Sequence, residues 1–232
     1  MTYTLFRLDA APPARRLAFT ICALALSTGA TLAHASITDP MGDFLPTFAG
    51  SVASADLDVL SASATYDAAA DLFTLTGTMA GAIGSTPTGF YVWGVNTGTG
   101  TAGFAANGLP GVLFNRVVLL NSPTAGNSIP GSGALPAGAV TIAGNTITAV
   151  VSGSLLPSTG FAKLDYTWNL WPRDNNFTGF AAISDFAPDA TDFATTAAVP
   201  EPGTYALMLG GLGLVGWLGA RRRRAHRMAV PH

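Results

Sequence analysis

Hydrophobic and polar residues alternate along much of the region between residues 36 and 186, a pattern typical of half-buried β-strands. The alternation is clearest from Leu72 to Met79, where threonines at every second position are separated by mainly hydrophobic residues. The preceding stretch, 57–66, is also typical of a strand, and only the short turn 67–71 separates the two. Two such strands joined by so short a turn predict a β-hairpin.

The same pattern predicts further short strands in this region. They cover residues 90–95, 112–120, 140–142, 146–151, 164–171 and 180–186, with a tight turn at 143–145. Residues 96–111 and 121–138 are rich in Gly, Pro, Asn and Thr and are predicted to be long loops. Because no segment shows a sustained helical period, we predict an all-β domain over residues 36–186. An antiparallel β-sandwich is the expected architecture, with a jelly-roll variant as the alternative.

The first 35 residues have the pattern of a secretory signal peptide. Arg7, Arg15 and Arg16 precede an apolar run, 17–26, and the sequence Ala-His-Ala at 33–35 is a typical cleavage site. The apolar run is too short to span a bilayer permanently. The paired arginines leave the twin-arginine route open, although the residues around them favour the general secretion route.

The C-terminal region combines a proline-rich motif, an apolar segment and a basic cluster. Residues 187–203 are predicted to form a flexible stem that ends in Pro200-Glu201-Pro202. Residues 204–220 are uncharged and mainly apolar, and a helix of that length would be about 26 Å long, near the short limit for a membrane span. Arg221, Arg222, Arg223 and Arg224 follow. Since positive charge is retained in the cytoplasm, we predict a transmembrane helix over 204–220 and a cytoplasmic tail over 221–232.

This order of features resembles the PEP-CTERM sorting domain of Gram-negative bacteria, over residues 199–227. The resemblance implies that an exosortase, a membrane-embedded protease-transpeptidase, recognises Pro200, Glu201 and Pro202. It also implies export across the inner membrane, a transient membrane anchor, and a final location at the cell surface or outside the cell. Association with extracellular polysaccharide and biofilm is a further implication. An ordinary C-terminal anchor with a proline-rich stem is the alternative.

The composition of residues 36–199 narrows the chemistry available to the domain. This stretch contains no histidine, cysteine or glutamate, which excludes a Ser-His-Asp triad, a Cys-His pair and the usual zinc sites. Eleven aspartates against three basic residues give it a net charge of −8, which repels nucleic acid. We therefore predict a non-catalytic domain that binds no nucleic acid. A secreted hydrolase that uses an Asp pair and a purely structural matrix protein are the alternatives.

Aspartates near the start of the domain are candidate ligands for calcium. The candidates are Asp39, Asp43, Asp56 and Asp58. Asp56 and Asp58 would share one face of a strand, and carboxylate oxygens are the ligands that Ca²⁺ prefers. The alternative is that these residues form turns and polar strand edges. The later residues Asp185, Asp189 and Asp192 are interpreted as a solvated approach to the stem.

Three tryptophans are candidates for stacking on the rings of a polysaccharide ligand: Trp93, Trp168 and Trp171. Aromatic residues at alternate strand positions are more often part of the core, and this is the alternative interpretation. Trp171 lies next to Pro172 and Arg173, so it is the tryptophan that we expect to be exposed.

Overall fold

The computed structural model of the protein describes residues 36–198 and 208–217. The predicted signal peptide, the Pro-Glu-Pro motif and the arginine cluster lie outside the described residues. Residues 36–198 form two mainly antiparallel sheets of six strands each, which confirms the predicted all-β class with two layers. The strands are β1 (Ile37–Thr38), β2 (Val59–Asp67), β3 (Leu72–Met79), β4 (Gly89–Asn96), β5 (Arg116–Ser122), β6 (Gly126–Ile129), β7 (Gly133–Ala134), β8 (Val140–Ala143), β9 (Thr146–Ser152), β10 (Thr167–Asp174), β11 (Phe193–Ala194) and β12 (Thr196–Ala197).

Within residues 36–198, five short 3₁₀ helices connect the strands. They are Ala55–Leu57, Ala105–Asn107, Gly153–Leu155, Lys163–Asp165 and Gly179–Ala182. The first sheet has the order β1-β2-β3-β9-β8, with β12 paired to β2, and the second has the order β11-β10-β4-β5-β6-β7. Most neighbours in a sheet are also neighbours in sequence, so the domain is built largely from hairpins.

The predicted hairpin is the β2–β3 pair, whose residues are in antiparallel register from Asp67↔Leu72 to Val59↔Met79. In β3 every second side chain is buried, as the alternation predicts. Phe73 and Leu75 join the core between the sheets, while Thr76 and Thr78 lie on the opposite face. Alternation is therefore a correct guide where one face of a strand meets solvent.

The core lies between the two sheets and contains large side chains from both, including Phe73 and Ile147 from the first sheet and Trp93, Trp168 and Leu170 from the second. The sheets approach closely at Gly77, where an added Cβ atom would lie 2.9 Å from the Leu170 side chain. A glycine at this position therefore lets the bulky residues of the second sheet fit against the first.

A second apolar cluster covers the outer face of the second sheet. Its centre is Trp171, whose ring lies 5.3 Å from that of Phe104, 5.1 Å from that of Phe114 and 5.7 Å from that of Phe186. Phe104 and Phe114 come from the long segment between β4 and β5, and Phe186 comes from the segment after β10. Trp171 is consequently 1% exposed, and the prediction that it is exposed is wrong because both faces of β10 are covered.

Other boundaries differ from the sequence predictions for physical reasons. The predicted loop 121–138 contains β6 and β7, whose short, Gly-rich sequences lack a hydrophobic alternation. The predicted strand 180–186 is instead a 3₁₀ helix followed by an isolated bridge between Ile183 and Arg173. The segment predicted to be the start of a flexible stem contains β11 and β12, which pair with β10 and β2. The sandwich therefore continues past the predicted boundary at 186.

The described helical residues near the C-terminus are 208–217. Within the part of the chain that the structure describes, no helix is both long enough and apolar enough to cross a membrane. The predicted transmembrane helix over 204–220 includes these residues, and the rest of it lies outside the described residues.

Candidate metal centre and sorting motif

Four aspartates from two distant parts of the chain meet at one end of the sandwich. Asp39, Asp43, Asp185 and Asp189 each offer a carboxylate oxygen, and these four oxygens all lie within 4.8 Å of one another. We call these four residues the acidic cluster. Asp39 and Asp43 are among the ligands predicted from the sequence, whereas the sequence places Asp185 and Asp189 in the approach to the stem.

The first arm of the cluster, residues 39–43, is held against β2. The N–H of Asp39 donates to the carbonyl of Leu60 at 2.9 Å, which continues the β1–β2 pairing. The N–H of Gly42 donates to Oδ2 of Asp58 at 2.9 Å. Gly42 has a φ of 83°, a left-handed conformation that favours glycine. The chain therefore turns at Gly42, between Asp39 and Asp43, and the two carboxylates reach the same point.

The second arm of the cluster, residues 185–189, is anchored by Asp185, which is 1% exposed. Its Oδ2 accepts the N–H of Val59 at 2.8 Å, and its Oδ1 accepts the N–H of Phe186 at 2.7 Å. The N–H of Leu45 donates to the carbonyl of Ser184 at 2.8 Å, so the backbone also joins the two arms. The interpretation of Asp185 as a solvated residue is wrong, because its buried carboxylate binds the N–H of Val59, the first residue of β2.

The cluster places several like charges in a partly dry environment. Burial, followed by the charges of Asp43 and Asp189, raises the pKa of Asp39 to about 7. Burial raises the pKa of Asp185 to about 8. The charge of Asp39 also raises this pKa, whereas the backbone hydrogen bonds of Asp185 lower it. The pKa of Asp43 is raised as well, mainly by burial. Bringing these carboxylates together in ionised form is therefore unfavourable unless a positive charge joins them.

Three carboxylate oxygens in and beside the cluster are buried without a hydrogen-bond partner: Oδ2 of Asp39, Oδ1 of Asp43 and Oδ1 of Asp58. Asp58 is 3% exposed, and its pKa is raised mainly by burial. Buried polar atoms are normally hydrogen-bonded, so these three oxygens have unused capacity to accept a proton or a cation. With oxygen atoms alone as donors, the site fits a hard cation such as Ca²⁺.

Asp56 does not join the cluster, contrary to the prediction that it shares a site with Asp58. Its carboxylate accepts the N–H of Thr86 at 2.8 Å and the hydroxyl of Thr86 at 2.6 Å. The residues 55–57 form a 3₁₀ helix, so the two-residue period of a strand does not apply to Asp56 and Asp58. Asp56 is a structural residue that fixes the loop before β4.

Asp192 is also separate from the cluster. Its Oδ1 accepts the N–H of Leu113 at 3.1 Å, and its Oδ2 accepts the hydroxyl of Thr167 at 2.8 Å. Burial raises its pKa to about 6. Of the three aspartates interpreted as a solvated approach to the stem, only Asp189 is exposed.

The candidate residues for sugar stacking lie in the interior. Trp93 and Trp168 are fully buried. Trp171 is 1% exposed, although it also lines a cavity on the outer face of the second sheet. The alternative interpretation, that they are core residues, agrees with this burial. Inter-sheet packing explains Trp93 and Trp168, and the outer apolar cluster explains Trp171.

A cavity of about 450 Å³ lies on the outer face of the second sheet. Half-buried rings of Phe90, Phe104 and Phe114 form part of its wall, and Arg173 is its one charged lining residue. A neighbouring cavity of about 520 Å³ is lined by Asn115 and Arg116 among others. Neither cavity has a carboxylate in its wall, so neither provides the acid and base of a hydrolase.

Comparison with known proteins identifies one segment of the chain. No curated protein and no solved structure shows significant similarity to the chain. Residues 198–224 match the family model of the PEP-CTERM protein-sorting motif. The match begins directly after β12, includes Pro200-Glu201-Pro202 and ends at the last of the four consecutive arginines. The chain therefore carries a PEP-CTERM protein-sorting motif, the signal for exosortase-dependent export and sorting to the cell surface.

Proposed function

We propose that the protein is a non-catalytic surface or matrix protein whose β-sandwich is delivered by exosortase and then binds extracellular polysaccharide. The observation that carries the proposal is the sorting motif at residues 198–224, which follows a domain with its own two-sheet core. An exosortase would cut near Pro200-Glu201-Pro202, where two prolines remove backbone donors and favour the extended chain that a protease accepts.

The chemistry of the described domain supports a role without catalysis. Residues 36–198 contain no histidine, cysteine or glutamate, so nucleophile–base pairs that use those residues are unavailable. Asp185, whose pKa is raised by burial, is 1% exposed, and both of its oxygens accept backbone N–H groups. A group enclosed in this way does not reach a substrate.

For the polysaccharide, the cavity on the outer face of the second sheet is the best-placed site. Phe90, Phe104 and Phe114 supply aromatic edges and faces, which suit the apolar surfaces of sugar rings. Arg173 adds a positive charge and would favour an acidic polymer. Trp171 also lines this cavity. Because it is 1% exposed, the half-buried phenylalanines supply most of the proposed contact surface, and Trp93 and Trp168 supply none of it.

Retention on the exopolysaccharide of the producing cell tests this binding. We expect the wild-type protein to be retained and the Arg173→Gln variant to be released at lower salt, because one charge contact is lost. Lys163→Gln removes the same charge at Asp71, away from the cavity, and serves as the control. Equal retention of both variants would count against the cavity, and no retention of the wild type would count against polysaccharide binding.

One observation favours the second candidate function, a hydrolase with an Asp pair: the acidic cluster brings carboxylates with raised pKa values together. Such a pair could act as acid and base. The test is release of reducing ends from the same polysaccharide. Release by the wild type but not by Asp39→Asn would establish the hydrolase, and absence of release by the wild type would remove it.

Delivery is tested by mass spectrometry of the mature C-terminus in producing cells with and without exosortase. We expect the mature protein to end close to residues 200–203 when exosortase is present and to retain the later residues when it is absent. Full-length protein in both strains would overturn the proposed processing.

A further inference from the structure

We propose that Asp39, Asp43, Asp185 and Asp189, with Asp58 beside them, bind one calcium ion that fastens the two arms of the acidic cluster together. Two oxygens that ligate the same Ca²⁺ at about 2.5 Å are at most about 5 Å apart. The four carboxylate oxygens of the cluster lie within 4.8 Å of one another. They are therefore close enough to share one ion without rearrangement of the backbone.

Asp58 supplies an observation that is independent of the clustering. It is 3% exposed, and its Oδ1 has no hydrogen-bond partner. Its Oδ2 accepts the N–H of Gly42, which lies between Asp39 and Asp43, so the carboxylate faces the loop that carries two of the ligands. A buried carboxylate oxygen without a partner is costly, and a cation at the cluster removes that cost.

The residues that the structure describes supply no positive charge to the cluster. Residues 36–198 contain three basic side chains. Lys163 pairs with Asp71, Arg116 donates to Ser132, and Arg173 donates to the carbonyl of Gly179. Because each of these contacts lies elsewhere, an external cation is the natural complement of the clustered carboxylates.

The donor set selects calcium among the common ions. Zn²⁺ and Cu²⁺ favour imidazole and thiolate ligands, which residues 36–198 lack. Mg²⁺ requires nearly ideal octahedral geometry and keeps several waters, whereas Ca²⁺ accepts six to eight oxygens in flexible arrangements. Carboxylates that come from two separate loops fit the second description.

The position of the site gives the ion a structural consequence. One arm follows β1 and the other precedes β11 and β12, so the ion would link the beginning of the domain to the segment that leads into the sorting motif. An ion that binds the folded state alone stabilises it. Extracellular calcium modules bind in roughly the 0.1–1 mM range, so the domain would acquire this link after export.

Calorimetric titration of the chelator-treated protein with CaCl₂, combined with thermal unfolding, tests the proposal. We expect one ion per chain and a higher unfolding temperature in calcium. Asp189→Asn changes an exposed residue, so the variant should fold and lose affinity roughly tenfold or more. Asp165→Asn removes the same charge from an exposed position outside the cluster and should bind as the wild type does.

Absence of calcium binding by the wild type at millimolar concentration would overturn the site. So would equal affinities of the Asp189→Asn and Asp165→Asn variants, because the ion would then respond to net charge and not to the cluster. Equal stabilisation by MgCl₂ would overturn the assignment of calcium. If Asp189→Asn fails to fold, Asp43→Asn provides the same comparison. None of these results depends on polysaccharide binding or on processing by exosortase.

Discussion

The indole Nε1 of Trp168 donates a hydrogen bond to the hydroxyl of Thr195 at 2.8 Å. The same hydroxyl donates to the carbonyl of Tyr166 at 2.7 Å, and Trp168 itself is fully buried. Thr195 separates β11, which pairs with the second sheet, from β12, which pairs with the first. The residues immediately before the sorting motif are thus tied to the core of the sandwich and to both of its layers.

Replacement of Thr195 by valine should destabilise the domain by about 1–3 kcal/mol, because the buried indole N–H of Trp168 would lose its acceptor. Valine has nearly the same shape as threonine, so packing changes little. Urea unfolding followed by tryptophan fluorescence measures the difference. Thr47→Val, at an exposed position, is the control and should be close to neutral. Equal stability of the two variants would show that the hydrogen bond contributes nothing measurable.

The Asp56→Ala variant tests whether Asp56 has a structural role and is not a calcium ligand. Asp56→Ala would leave the N–H and hydroxyl of Thr86 without their acceptor, and Asp56 is fully buried. We expect a loss of about 1–3 kcal/mol in the free energy of unfolding for each donor that stays buried and unpaired. The calcium affinity should stay at the wild-type value. A loss of calcium affinity in the folded variant would place Asp56 in the site after all.

The contrast between Asp56 and Asp185 shows what the sequence could predict about the site. Asp39 and Asp43 were identifiable because they flank a glycine turn close to one another in sequence. Asp185 joins them only because its carboxylate accepts the N–H of Val59, which is 126 residues away. No local sequence pattern indicates such a pairing. Asp56 has the sequence pattern of a ligand, but its carboxylate binds Thr86 in the loop before β4.

The fold shows the same division between local and long-range information. The alternation in β3 was predictable because one of its faces meets solvent. In β10 five consecutive residues are buried, because the outer apolar cluster covers the face that points away from the core. An alternating pattern therefore does not predict which residues of β10 are exposed. The two-residue strands β11 and β12 are too short for a hydrophobic period, so only their partners β10 and β2 define them.

Gly94 should be sensitive to substitution because the Trp171 ring occupies the space of its missing side chain. An added Cβ atom would collide with Cη2 and Cζ3 of Trp171, and overpacking of this kind costs about 1–3 kcal/mol. The double variant Gly94→Ala/Trp171→Phe lacks those two ring atoms. We therefore expect it to be less destabilised than the sum of the two single variants. Additive losses in urea unfolding of all four proteins would argue against this contact.

Asp192 should give the domain a measurable dependence of stability on pH. Burial raises its pKa to about 6 in the folded state, whereas an aspartate in an unfolded chain has a pKa of about 3.9. The folded state therefore retains a proton that the unfolded state has released. The stabilisation is fully present below a pH of about 4 and is lost as the pH rises through about 6. An asparagine side chain does not titrate, so the free energy of unfolding of Asp192→Asn should fall less across this interval than that of the wild type.

Urea unfolding of the chelator-treated proteins at several pH values measures this difference for Asp192→Asn. The acidic cluster contributes equally to the wild type and the variant, so subtraction isolates Asp192. Asp165→Asn, which changes an exposed residue, should follow the wild-type profile. Parallel profiles for the wild type and Asp192→Asn would show that the buried carboxylate keeps the pKa of an exposed one, and that the hydrogen bonds from Leu113 and Thr167 fully offset its burial.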